Sequence, residues 1–379
     1  MKVIHITSMH EFDDDRIFQR ACLGLADEGI NVGLIAQYES KKPILIEGVN
    51  IYPLRARKGI KRRLFSSFQA MRIAFKNKAD IYHFHDPDLI PFMLILSLFG
   101  RRNVVYDIHE LYRVRFSQWK FIPNKFKNFF ANAYQRTEHL CIKGMSGFTL
   151  PSQSMQKLWY KKLNKPYAVV RNIHLLSKIS KFNLDKVKKD KNFIIYTSGL
   201  NSPDRRNINI MKAFSLLYKK YDNIKLVFGG MYRPEGYKKK LEDLAKKLDI
   251  VDRFEMQGFL PYEEQFLRTS QVSLGLVLLE PNEKNYIATS NRMYEYMFCK
   301  IPIICEALPE PISVIDNVSC GYYLNSENIE ELANKIEQIY LNPKEAEKLG
   351  EKGHNAVVKE FHYEKDLVGL INLYKAIVG

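Results

Sequence analysis

Cysteine is scarce and does not pair. The chain has five, at Cys22, Cys141, Cys299, Cys305 and Cys320. The number is odd and no two form a Cys-x-x-Cys motif, which argues against a disulfide framework or a thiolate zinc site and for free thiols in a reducing compartment. Long apolar runs are missing too. The longest, "LIPFMLILSLFG" (Leu89–Gly100), has 12 residues, short of the ~20 that span a bilayer, and reads as a buried helix. The opening "MKVIHITSMHEF" passes from a short strand into polar residues and lacks the apolar region of a secretory leader. The expectation is a cytoplasmic protein, at most peripheral to the inner face of the plasma membrane.

Acidic residues are short only in the first half. Residues 1–172 carry 28 Lys and Arg against 14 Asp and Glu, whereas residues 173–379 carry 30 against 28. Nearly all of the formal charge of +16 therefore sits in one half. A membrane surface, a phosphorylated acceptor or nucleic acid would meet that half.

A chain of 379 residues, 46% hydrophobic and 26% charged, is long enough for two folded domains. In the first half, β-rich runs such as "KVIHIT", "NVGLIAQ", "ADIYHFHD", "NVVYDIHE" and "GFTLPS" alternate with helical stretches. "DDRIFQRACLGLADEG" has the helical period, with acids at its start and Gly29 as its stop. The pattern lapses in the lysine-rich stretch His174–Asn192 and restarts with "NFIIYTSG". Strand–helix alternation in two runs predicts two parallel, doubly wound sheets. In such sheets ligands sit beyond the carboxyl ends of the strands, which selects a few segments.

"YTSGLNSPDRRNINIMKAF" puts a glycine turn after a strand and two arginines before a helix. Free N–H groups at a helix start plus guanidiniums make an anion site, and the alternative is a solvated loop. "ATSNRMYEYMFCK" clusters Thr289, Ser290 and Asn291 at a helix start. Glu295 follows one turn later, placed to accept ribose hydroxyls or simply to sit on the helix surface. "YDIHELY" ends a strand with His109 and Glu110, for a substrate hydroxyl, a phosphate or a structural role. Lys61-Arg62-Arg63 opens a basic helix with Leu64, Phe65, Phe68, Met71 and Phe75 as an apolar stripe, and "QWKFIPNKFKNFFANAYQR" is similar. Both fit an interfacial helix at a membrane or a helix packed on its own sheet.

These segments, in this order, resemble the retaining, nucleotide-sugar-dependent glycosyltransferases of family 4. The motifs are "DDRIFQRACLGLADEGINVGLIA", "ADIYHFHDPDLIP", "VVYDIHE", "SGLNSPDRRNINIMKAF", "FEMQGFLPYEE" and "SNRMYEYMFCKIPIIC". The resemblance covers nearly the whole chain. It implies a GT-B fold, two Rossmann-like doubly wound domains facing across a cleft. Residues 1–175 would form the acceptor-side domain and residues 190–359 the nucleotide-sugar domain, with 360–379 a helix returning to the first. By the same resemblance Arg205 falls on the donor diphosphate, with Gly199 and Arg206 beside it. Glu295 falls on the ribose. Thr289, Ser290 and Asn291 lie on the loop whose amides meet the phosphates, Gly258 and Phe259 at the nucleotide base, and His109 at the donor sugar. Together His109, Arg205 and Glu295 are the catalytic set. The acceptor side would hold Arg16, His85, Asp86 and Glu110.

The pattern departs from the family in three places. A Gly-Arg pair expected after the first strand of the second domain is Gly199-Leu200, so one phosphate arginine is missing. A second glutamate, expected eight positions before Glu295, is Ile287, with Glu280 or Glu283 as substitutes. The Gly-rich first loop is replaced by "SMHEFDDDRIF".

Asp86-Pro87-Asp88 has the Asp-x-Asp form that other glycosyltransferases use to hold a metal. That pattern belongs to a single-domain architecture, so no metal and no cofactor is expected here, and His83 reads as structural. The expected activity is metal-independent, retaining transfer of a sugar from a nucleoside diphosphate, UDP-linked, to a hydroxyl. The acceptor would be lipid-linked or a surface glycan, as in capsule, O-antigen or exopolysaccharide assembly. The partners would be that donor, that acceptor and an anionic membrane surface. A UDP-sugar 2-epimerase of the same architecture is the alternative, with Asp13–Asp15, Asp86, Asp107 and Glu110 as its acids. A nucleic-acid-binding protein is a further one, suggested by charge alone and without a recognised motif.

Overall fold

A computed structural model of the chain describes residues 1–40, 42–55, 60–119, 122–184, 187–288 and 290–379, excepting the side chains of 60–63, 117, 118 and 262. It divides into two compact units, residues 1–175 with 363–379, and residues 176–362.

Unit 1 contains strands β1 (Lys2–Glu11), β2 (Asn31–Gln37), β3 (Ile44–Ile46), β4 (Val49–Leu54), β5 (Ile81–Phe84), β6 (Val104–Asp107), β7 (Gly147–Leu150) and β8 (Tyr167–Val169). They form one sheet in the order β3-β4-β2-β1-β5-β6-β7-β8, parallel throughout except for the β3–β4 pair. The strands β5, β6 and β7 are buried along their whole length, as expected for parallel strands covered on both faces. The chain runs outward from β1 to β4 and returns to start again at β5. The topological switch point, where ligands collect in such sheets, therefore lies between the carboxyl ends of β1 and β5.

The helix predicted over "DDRIFQRACLGLADEG" is split into a π-helical Ile17–Cys22 and an α-helical Leu23–Asp27. Gln19 and Ala21 donate five residues back, to the carbonyls of Asp14 and Arg16, because Asp14 Oδ1 already takes the Arg16 and Ile17 amides at 3.0 and 2.9 Å. The final helix, Tyr363–Val378, packs on this unit. Asp366 receives the Arg171 amide at 2.7 Å and its guanidinium at 2.6 Å.

The apolar stripe on the helix Ile60–Lys76 does not face the sheet. Ser66, Ser67, Ala70 and Ala74 are buried, whereas Leu64, Phe65, Phe68 and Phe75 are exposed. On the helix Asn124–Lys143, Ala131 and Ile142 face inward and Phe126, Phe129 and Phe130 outward. Small side chains let each helix sit close to its neighbours, and the large rings are left outside.

Unit 2 contains β9 (Phe193–Thr197), β10 (Leu200–Asn201), β11 (Ile224–Phe228), β12 (Met231–Tyr232), β13 (Phe254–Met256), β14 (Leu274–Val277), β15 (Ile303–Glu306) and β16 (Gly321–Leu324). Its main sheet runs β13-β11-β9-β14-β15-β16, all parallel, beside a two-stranded pair β10-β12. Ile195, Leu226, Phe228, Leu274, Leu276 and Ile304 of the sheet pack with Phe214, Leu241, Leu332 and Ile336 of the helices. Each such side chain contributes about 1.5–3 kcal/mol by leaving water. The switch point here lies between β9 and β14. Both units are thus doubly wound Rossmann-like folds.

Candidate functional site

In unit 1 the strand ends at the switch point converge on Asp107. Its carboxylate takes Arg16 Nη2 at 3.1 and 3.2 Å, Thr149 Oγ1 at 2.7 Å and His85 Nδ1 at 2.9 Å. His109 Nε2 stands 2.7 Å from the same oxygen as His85. Burial pushes this carboxyl up, but the Arg16 charge and the imidazole hydrogen bonds outweigh it and hold it well below the usual range. Behind it lies a buried chain of rings. His5 Nδ1 is 2.9 Å from His85 Nε2, and Tyr374 Oη is 2.5 Å from His83 Nδ1. Burial depresses His5, His83 and His109 below the ordinary histidine value. With all of them neutral, one tautomer set satisfies the network: His5 donates to His85, and His85 and His109 donate to Asp107. His109 is then left with Nδ1 as a lone pair, and its side chain is 17% exposed.

Asp86 is buried. Its Oδ2 accepts from the Thr7 hydroxyl and the Ser8 amide, both at 2.7 Å. It fixes the second half of β1 and does not project outward. His85 is buried too, so both stand one layer beneath the surface proposed for an acceptor. Arg16 is tied to Asp107, and Glu110 is exposed and paired with Arg115. His83 sits in the buried network.

Sequence reasoning missed His10. It lies between Asp14 (2.9 Å) and Asp86 (3.7 Å), its ring 6.4 Å from that of His109. Its hydrogen bond to Asp14 raises its pKa against the effect of burial. The cluster His85, Asp107 and His109 has the composition of a metal site. Arg16 already neutralises that carboxylate, so a dication would add uncompensated charge.

In unit 2 the loop after β9 turns at Gly199, with φ of 94°. Gly230 approaches it so closely that a Cβ there would stand 1.9 Å from the Gly199 carbonyl oxygen. Pro203–Arg205 forms a single 3-10 turn, and Arg206 takes the left-handed conformation before the helix Asn207–Tyr218. The Arg206 guanidinium reaches Glu327 at 3.0 Å. Arg205 is half-buried. Burial and the nearby charge of Arg292 lower it to about 10, and its Nε is buried without a partner.

The helix Asn291–Phe298 starts at Ser290, whose side chain makes no capping bond. The hydroxyls of Tyr296 and Ser198 bond at 3.2 Å, which ties this helix to the end of β9. Glu295 follows one turn along this helix, half-buried. Thr289 lies outside the described residues. Gly258 leaves open space beside the carbonyl that receives the Gly230 amide, and Phe259 is 72% exposed. Ile287 is buried. The Glu280 amide bonds the Asp204 carbonyl at 2.8 Å, which ties Glu280 to the Arg205 turn.

Arg292 was not singled out from sequence. It is buried, and its Nη1 donates to Thr197 Oγ1 at 2.9 Å and to the Ser198 carbonyl at 2.7 Å. Nothing in the sequence marks it, because its partners lie 95 residues away.

A family model described as Glycosyltransferase Family 4 matches residues 16–174, and one described as Glycosyl transferases group 1 matches residues 177–356. The chain belongs to the family 4 glycosyltransferases. Solved structures place this family 4 glycosyltransferase in the GT-B fold class. A glycosyltransferase from Rickettsia africae superposes with a TM-score of 0.72 at 15% identity, over 100% of this chain and 98% of that one. Anabaena HepE in complex with UDP gives 0.71 at 14%, over 99% and 100%. Sucrose-phosphate synthase from Thermosynechococcus elongatus gives 0.70 at 13%, over 99% and 98%. A probable sucrose-phosphate synthase of Thermosipho melanesiensis is 23% identical over 49% of this chain, and the match spans 47% of that relative's length.

Proposed function

We propose that this family 4 glycosyltransferase moves a sugar from a UDP-linked donor to a hydroxyl acceptor, with retention and without a resident metal. The observation that carries the reading is the β9–β14 switch point of unit 2. A half-buried Arg205, a helix start without a side-chain cap and an open glycine turn follow the strands there. That is the equipment for a dianionic leaving group. Anabaena HepE, of the same fold, was solved with UDP and with UDP-glucose, which supports a uridine donor here.

In the proposed reaction the bond from the anomeric carbon to the diphosphate breaks and the acceptor oxygen bonds to that carbon. The acceptor's proton passes to a phosphate oxygen of the departing group. Arg205 and the amides near Ser290 and Asn291 stabilise the charge that develops, Glu295 holds the ribose, and Gly258 and Phe259 border the base. His109, fixed by Asp107, orients the donor sugar through Nδ1. Asp86 and His85 act as positioning residues under that surface.

The acceptor is a lipid-linked or surface-glycan precursor in polysaccharide assembly. Support comes from exposed rings and basic residues on neighbouring helices of unit 1. Phe65, Phe68, Phe75, Phe99, Phe126 and Phe129 are exposed, and Arg72 and Lys125 stand over Phe68 and Phe126. Rings beside cations suit an anionic membrane surface. No helix among the described residues is long and apolar enough to cross a membrane.

The epimerase alternative has less support, because all but Asp13 of the acids weighed for it already have partners. Asp14 and Asp86 hold backbone amides, Asp107 holds Arg16, Asp15 pairs with Arg20 and Glu110 with Arg115. A screen of nucleotide sugars in EDTA, read by nucleotide release and by the anomeric NMR signal of the product, tests the reading. Release from one donor with retained configuration is expected. Free epimerised nucleotide sugar, or release only after Mn2+ is added, would overturn it.

A further inference from the structure

We propose that Arg292 is a second ligand of the donor's diphosphate and supplies the cation that Leu200 leaves out of the loop after β9. The inference rests on the donor-site reading above and adds a residue to it. Arg292 is 7% exposed. Both N–H bonds of Nη1 are used, on Thr197 Oγ1 and the Ser198 carbonyl. Its Nη2 is buried and has no hydrogen-bond partner, and no carboxylate among the described residues stands within ion-pair distance. Glu295 and Asp204 act on it only from further away. The charge of Arg292 acts on Arg205 and lowers its pKa, against the opposing effect of Asp204.

A buried guanidinium without a paired carboxylate, beside a second, half-buried one, is costly, since a buried charge is ordinarily paired. A fold that keeps such a pair at a switch point is shaped for an anion that arrives from outside. The ligand chemistry follows from the geometry. Arg205 comes from the turn before the helix Asn207–Tyr218, and Arg292 from the first turn of Asn291–Phe298. Two cations from separate elements suit two linked phosphates better than one. Arg292 is held by its two bonds to the end of β9, so the Nη2 edge needs no rearrangement as charge develops on the leaving group. A cation fixed in this way takes the part that a divalent metal plays elsewhere.

The test is calorimetric titration of the wild type, Arg292→Gln and Arg292→Met. The probes are UDP, ADP, GDP, the nucleoside of whichever binds best, and inorganic pyrophosphate. Circular dichroism melts establish that each variant is folded, and Gln keeps a donor for the Ser198 carbonyl. Both variants are expected to lose roughly 10- to 100-fold in affinity for the nucleoside diphosphate, the scale of a charge-assisted hydrogen bond. Pyrophosphate affinity falls in parallel and nucleoside affinity is unchanged. A purely structural Arg292 would weaken nucleoside and diphosphate alike, and that result, or wild-type affinity in both folded variants, overturns the inference. A wild type that binds none of these diphosphates overturns the donor-site reading itself.

Discussion

Asp107→Asn removes one charge and almost no volume from the centre of unit 1, so its effect isolates the electrostatics. The carboxylate balances Arg16, whose side chain is 16% exposed. Taking one partner from a buried pair costs about 3–5 kcal/mol, and the residual exposure of Arg16 favours the lower end. A domain is stable by only ~5–15 kcal/mol, so the shift is large. The second effect is on tautomers. One Asp107 oxygen serves both His85 Nδ1 and His109 Nε2. An amide offers a carbonyl on one side and an NH2 donor on the other, so the shared acceptor position is weakened or reversed. His109 also loses the carboxylate that raises its pKa against burial and Arg16, so its imidazole stays neutral, with the proton no longer fixed on Nε2. Misplacement of an orienting group costs on the order of 100-fold in rate. Both tryptophans, Trp119 and Trp159, lie in unit 1, so urea unfolding followed by tryptophan fluorescence reports on this unit. An unfolding free energy lowered by about 3 kcal/mol, together with transfer reduced ~100-fold, is expected. Wild-type stability and wild-type transfer in this variant would refute the account of the unit 1 site.

Three further predictions follow the same logic. Burial raises Glu138 to about 7, against the hydrogen bonds it accepts from Tyr160, Tyr134 and Tyr106. Its folded pKa lies above the unfolded value, so unit 1 should lose stability as pH rises from ~4.5 through 7, at up to ~1.4 kcal/mol per unit. The difference in unfolding free energy between Glu138→Gln and the wild type should therefore grow by about 3 kcal/mol between pH 4.5 and 8, and a flat difference contradicts this. Gly230→Ala puts a Cβ 1.9 Å from the Gly199 oxygen at φ of 104°, and should cost at least ~2 kcal/mol in circular dichroism melts and weaken nucleotide binding. In flotation assays the protein should rise with phosphatidylglycerol vesicles at low salt and not with phosphatidylcholine, and exchanging Phe65 and Phe129 for Ser should reduce that binding. No association would leave these rings as ordinary surface.

The fold was largely legible because buried parallel strands read as short runs of Val, Ile and aromatic residues between helical periods, and the pattern lapses between the two sheets. The positions of Arg205, Ser290 and Glu295 after a strand or near a helix start were legible for a related reason, while the roles proposed for them come from the family resemblance. Arg292 was not, because its meaning depends on Thr197 and Ser198, which reach it only through the packing of a helix on β9. The histidine network was half legible. The ends of β5 and β6 drew notice to His85, Asp86 and His109. That Asp107 is the hub, and that Asp86 faces inward, depends on how β1 lies beside β5. The helix Ile60–Lys76 shows the limit of periodicity. It reveals an apolar stripe, yet the face that meets the sheet is the one with Ser66, Ser67, Ala70 and Ala74.

The central claim, a nucleoside diphosphate site built on unit 2, is tested most directly by calorimetric titration of UDP into the wild type, Arg205→Ala and Glu295→Ala. The account predicts one saturable site in the wild type and affinity reduced at least ~10-fold in each variant. It predicts that uridine is affected by Glu295→Ala and not by Arg205→Ala. Wild-type affinity for UDP in both folded variants would contradict it.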